Sequence, residues 1–389
     1  MLKNPFVIYI LAFGSVLATY QLGWSQLYPA LSFDLLAFFG LTFFVTAVLG
    51  LVVSSEIAET GAYQPGQLPK YTGLLLIAVY AADIAYGREV PLLSLLMGTY
   101  KYAGFPGIPT IHVFAVTASG AFATIRFADF LYSTSRRCRV RYLLEAFIPL
   151  SFFALLNMRG VIVIALLSWG FVYIIRRGRI GLVRSCALGA LGLGALYLFG
   201  AFGDVRTGGI EELGQPSQAF IESSVPRTFF WGYLYFTSPL ANLQHTVDVV
   251  YPRFDLQSGI EIVVAEMLPD FLSNRILPLL NTQRVITPEV GPGLNVATIF
   301  ARSYFYFGWI GVLLMFTWFC TFTTIYFQLI LKSPYRVPCL ALLNTLIFFS
   351  TFDNMIAQTF LMFQLVWPLL LPLLPRRSLF KRPRGLAVS

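Results

Sequence analysis

The chain is dominated by apolar runs long enough to cross a lipid bilayer, at residues 4–21, 29–53, 71–87, 110–133, 142–158, 160–176, 182–202, 304–331, 337–352 and 356–374. A spanning helix needs about 20 mainly apolar residues. Little is left over to make a water-facing surface: charged residues are 12% of the chain and mean hydropathy is +0.73, where a soluble domain carries about 25% charged residues. The expected fold is all-α, a polytopic integral membrane protein of about ten transmembrane helices with one large external loop. Its expected divisions are an N-terminal bundle of about seven spans over 1–202, the loop over 203–296, and C-terminal helices with a basic tail over 297–389.

Sidedness follows from the short connections, because cytoplasmic loops carry an excess of Lys and Arg. Arg136, Arg137, Arg139 and Arg141 follow the fourth run, and Arg176, Arg177, Arg179 and Arg184 follow the sixth. Lys332 and Arg336 follow the eighth, and Arg376, Arg377, Lys381, Arg382 and Arg384 form the tail. The clusters recur at every second connection, so both termini are expected in the cytoplasm. This pattern accounts for the formal charge of +9 without a nucleic-acid partner. Lys3, the first apolar run and "VLA" (Val16–Ala18) mimic a cleaved signal peptide, but the aromatic, acid-free sequence after it reads as an ordinary loop and the run as a span.

The opposite-side connections are short ("QLGWSQLYP", "STFDNM"), broken by Gly and Pro (88–109), or very long. Loops as long as 203–296 are uncommon without a function. Within it, "VPRTFFWGYLYFTSPLANLQH" (Val225–His245) is aromatic but interrupted by Pro226, Pro239, Asn242 and Gln244, and reads as an external segment.

Several chemistries lack equipment. There is no GxxxxGK[ST] loop, GxSxG or HExxH, and the only histidines are His112 and His245, so nucleotide hydrolysis and zinc catalysis are not expected. The four cysteines are scattered, with no CxxC spacing. The first outer loop has no carboxylate to hold a divalent metal, and no cofactor is expected. No internal repeat marks a secondary transporter.

Arginine is what the outer side offers: Arg159 in a tight turn, Arg206 beyond the seventh run, Arg227 at the head of the aromatic stretch, and Arg302 where the chain re-enters the membrane. Arginine in apolar surroundings costs about 2.5–3.5 kcal/mol, and its planar fork binds two phosphate oxygens at once. Four such groups suggest a metal-free pyrophosphate site. Taken singly, each reads first as an interfacial anchor or as an ion-pair partner of Asp204, Glu211 or Glu222. The aromatics of 229–236 read as sugar-stacking faces or as an interfacial belt, and His245 as a general base or a structural group. Inside the membrane, Arg126 and Asp129 are placed i,i+3 to pair with each other.

The motifs "VPLLSLLMGTYKYAGFPGIPTIHVF", "LLNMRGVIVIALLSWGF", "LFGAFGDVR", "YLYFTSPLANL" and "GLNVATIFARSYFYFGWIG" resemble, in order, those of the Wzy-type O-antigen polymerases, the oligosaccharide repeat-unit polymerases of bacteria. The matches run from residue 90 to 311, with the large loop in the expected place. One departure is Tyr306, where the family's pattern has an acid. The resemblance implies a multi-pass protein of the bacterial inner membrane with its active site and large loop in the periplasm. It implies a metal-independent glycosyltransferase joining undecaprenyl-pyrophosphate-linked oligosaccharide units, with a polysaccharide chain-length regulator as a further partner. Carried onto this chain, it makes Arg206, Arg227, Arg302 and His245 candidate catalytic residues, and Arg159, Tyr235, Asn242, Asn295, Tyr304 and His112 candidate substrate contacts. An O-antigen ligase, transferring the same donor to a lipid A core, shares these features. A lipid-linked-sugar flippase or transporter would instead require repeats and charged mid-membrane residues.

Overall fold

Every one of the apolar runs contains a helix in the computed structural model, which describes residues 2–59, 62–69, 71–98, 105–178, 181–207 and 211–373. In chain order these are α1 (Pro5–Tyr20), α2 (Phe33–Val52), α3 (Thr72–Gly87), α4 (Ile111–Tyr132), α5 (Arg136–Leu155), α6 (Arg159–Arg177) and α7 (Leu182–Thr207). Then come α8 (Phe229–Val249), α9 (Leu256–Ile262), α10 (Asp270–Ile276), α11 (Ala301–Leu331), α12 (Arg336–Phe349) and α13 (Thr359–Leu370), with single-turn helices between. No strand occurs among the described residues; Ser25 and Pro216 form an isolated bridge. By length and composition, α2, α4, α6 and α11 are each able to cross a membrane, and α1, α3, α12 and α13 are shorter apolar helices. Arg179 and the basic tail from 374 onward lie outside the described residues.

Local chemistry sets the helix starts. Pro5 occupies the first turn of α1, where its missing N–H is not needed. The Asn4 side chain accepts from Phe6 N at 3.0 Å and donates to Gly50 O at 2.7 Å, tying the start of α1 to the end of α2. Ser32 caps α2 by accepting from Leu35 N. The core is aromatic and continuous: Phe13 and Phe38 both meet Phe300, at centroid distances of 5.7 and 5.0 Å, and Tyr9 meets Phe319 at 5.2 Å. Helix α12 runs through the centre with nearly every side chain buried, and its Thr345 shares a hydrogen bond with Ser168 of α6.

Two features go beyond the sequence expectation. The stretch 225–245, interrupted on paper, is helical from Phe229 onward as the continuous helix α8, which packs along α1, α7 and α11. Pro239 removes one ladder bond, a cost that burial of Phe230, Leu234, Leu240 and Leu243 offsets. The second is a break in α11, at Phe307 (φ −146°) and Gly308 (φ +57°), which sets its first turn apart from the long helix that follows.

The i,i+3 pairing on α4 forms as expected, and one more acid joins it. Arg126 Nη1 lies 2.9 Å from Asp129 and its Nε 2.6 Å from Glu145 of α5, with the guanidinium 5.3 Å from the Phe122 and Tyr142 ring centres. Tyr63 and the Gly66 amide donate to the other Asp129 oxygen.

Candidate functional site: a polar cleft at the start of α11

At the opposite end of α4 from Arg126 a cleft of about 410 Å³ opens between α10, the first turn of α11 and the turn joining α12 to α13. The chain reaches it by local devices. After α9 the backbone widens into a π turn at Val263–Met267, which directs Glu266 inward, and Leu268–Pro269 then ends the run. Such turns recur at functional sites. Asp270 N donates to Ala357 O and Phe271 N to Thr359 Oγ1, fixing α10 against the α12–α13 turn.

Glu266 is fully buried, and Asn354 holds it by donating to both its backbone oxygen (2.7 Å) and Oε2 (2.9 Å). Among the described residues its other oxygen accepts no hydrogen bond; Arg302 Nε at 3.4 Å and Arg284 Nε at 4.0 Å attract it as charges. Burial pushes the Glu266 carboxyl above its usual range, against the pull of Arg302, the Asn354 amide and Arg284. Arg302 also pairs with Asp353, whose second oxygen accepts from Gln358 at 2.8 Å. Arg284 pairs with Asp270 and donates to Ala265 O (2.6 Å) and Ser273 Oγ (2.9 Å). Both guanidiniums and both aspartates remain partly open, at 21–27% side-chain exposure. Phe271 and Phe360 supply apolar wall. The arrangement is a mixed lattice of hydrogen-bond donors and acceptors beside aromatic faces, the composition of a site that orients a polar ligand.

Of the residues singled out from sequence whose side chains are described, Arg302 alone lines this cleft. His112 lies beside it in the chain: Val113 is in the wall, and His112 Nδ1 sits 2.6 Å from Asp83, which is wholly buried and also accepts from Ile108 N. Arg159 is exposed at the start of α6 and donates to Asn157. Arg227 is exposed just before α8, Tyr235 is 42% exposed on α8, and Asn295 is exposed in the return segment. His245 is half-buried, and Tyr304 is buried with its ring edge-on to Trp309. The Arg206 side chain lies outside the described ones. Asn242 is fully buried and spends its amide on backbone, donating to Leu294 O and Val296 O and accepting from Val290 N. The aromatic stretch packs on itself: Phe230, Trp231 and Tyr233 are buried, with Phe220 against Phe230 at 4.7 Å and Trp24 against Tyr233 at 5.2 Å. These three rings therefore have no face left for a sugar. Tyr306 takes a structural post, accepting from Val285 N.

Sequence reasoning missed Glu266, Asp270, Arg284, Asp353, Asn354 and Gln358. One signal was present: a lone acid in the apolar run "VVAEM" and another in "STFDNM" are costly where they stand, and each needs a cation. Among the described residues no group of three or more His, Cys, Asp or Glu is placed to hold a metal. No family model, no curated protein and no solved structure matches the chain.

Proposed function

We propose that the protein polymerises undecaprenyl-pyrophosphate-linked oligosaccharide units at the periplasmic face of a bacterial inner membrane, with ten spans, both termini in the cytoplasm and residues 203–296 outside. The observation that carries the reading is the cleft: Arg302, from the last of the five ordered motifs, opens into a polar pocket walled by Phe271 and Phe360 in a chain built for lipid. Glycan chemistry needs such a combination, since planar amide, carboxylate and guanidinium groups bind hydroxyls while aromatic faces cover sugar C–H surfaces.

In the proposed reaction a sugar hydroxyl oxygen of the incoming unit bonds to C1 of the growing glycan. The bond from C1 to the lipid pyrophosphate breaks, its electron pair leaves with the pyrophosphate, and the hydroxyl proton passes to water. Preorganised cations at the departing charge commonly contribute about 10²–10³ in rate. Arg227, exposed before α8, and Arg206 are the proposed cations.

Purified protein reconstituted in liposomes with a synthetic lipid-linked unit should build a ladder of longer glycans, and absence of any ladder overturns the reading. In cells, loss of the protein should leave lipopolysaccharide capped with single units. Lipopolysaccharide with no unit at all would make it a ligase instead.

A further inference from the structure

We propose that the cleft between α10 and the Asp353–Gln358 turn is a subsite for the hydroxyls of a sugar residue, and is not where pyrophosphate binds. The identity of the glycan rests on the polymerase reading; the chemistry of the subsite does not.

Three observations support this. The first is charge. Arg284 and Arg302 face Glu266, Asp270 and Asp353, so carboxyls outnumber guanidiniums. A pyrophosphate would have to displace Asp270 and Asp353 from the arginines and then lie beside the acids it had evicted. The second is hydrogen-bond character. A phosphate oxygen only accepts, whereas a sugar hydroxyl both donates and accepts. The partly open carboxylates of Asp353 and Asp270 accept hydrogen bonds from hydroxyls, while Arg302 and Gln358 donate to hydroxyl oxygens. The third is shape: about 410 Å³ lies within the roughly 300–1,000 Å³ of small-ligand sites, and Phe271, 40% exposed, offers a face to the ligand's apolar side.

The test uses the full chain in nanodiscs and two probes measured by calorimetry: the repeat oligosaccharide freed from its lipid by mild acid, and inorganic pyrophosphate. The oligosaccharide should bind, and Gln358→Ala should weaken it about tenfold, the loss of one hydrogen bond near a charged group. Asp353→Asn should also weaken the sugar. It releases Arg302 and makes the cleft more positive, so this variant should gain pyrophosphate binding that a further Arg302→Gln removes, while pyrophosphate held by the parent at Arg206 and Arg227 should be indifferent to Arg302→Gln. Failure of the oligosaccharide to bind, unchanged sugar affinity in Gln358→Ala, or pyrophosphate binding to the parent that disappears in Arg302→Gln would each overturn the proposal. Where Asp353→Asn does not fold, Gln358→Ala decides alone. The two readings fail separately. Gln358-dependent sugar binding without chain growth in liposomes removes the polymerase and keeps the subsite. Chain growth with sugar affinity indifferent to Gln358 removes the subsite and keeps the polymerase.

Discussion

Asn242 shows how a residue type suited to ligand binding is consumed by its own fold. Its amide replaces a missing stretch of secondary structure, holding Val290, Leu294 and Val296 of the return segment against α8. A stranded buried polar group costs about 1–3 kcal/mol, and Asn242→Ala strands three. The variant should lose about 3 kcal/mol or more, read as a lower thermal midpoint in detergent. An unchanged midpoint with lost turnover would return Asn242 to the ligand. Arg302 carries the opposite lesson. It was singled out from its position, as a cation at the head of an apolar run, but its partners were not. Glu266 and Asp353 lie far from it in sequence, and no local pattern encodes pairing across that distance. The Arg126–Asp129 pair was legible because one helical turn brings i and i+3 together. Arg302→Lys keeps the charge and loses the two-sided fork, so Lys should not substitute: oligosaccharide affinity should fall severalfold, with membrane abundance near normal. Equal affinity would reduce Arg302 to a fold anchor.

At the scale of elements, the apolar runs appear as helices because their signal is local and strong. That α8 is one continuous helix was not legible for the converse reason: Pro239, Asn242 and Gln244 are local breakers, while the packing against α1, α7 and α11 that overrides them is tertiary. The break in α11 was likewise invisible, although its cause is one residue. Gly308 adopts φ +57° and ψ −145°, a region that only glycine enters without strain. A Cβ there would also lie 3.0 Å from Pro252 Cγ. Gly308→Ala should cost about 1–3 kcal/mol or straighten the helix, and straightening moves Arg302 away from Asp353 and Glu266. Thermal unfolding and oligosaccharide binding should therefore decline together. Full retention of both would show that the break is not needed to build the cleft.

For the whole molecule, the arginine cluster of 136–141 and the cleft lie at opposite ends of α4, which gives the proposed topology a direct check. Alkaline phosphatase fused after Pro216 should be active and fused after Arg139 inactive, and the reverse pattern would invert the molecule in its membrane. The buried Arg126 cluster bears on how such a molecule is made. An arginine held alone at membrane depth costs about 2.5–3.5 kcal/mol. Arg126 meets one acid on its own helix, Asp129, but its second, Glu145, arrives only with α5. Under the proposed topology α4 would wait at the insertion machinery until α5 emerges, and the two helices would enter lipid as one hairpin.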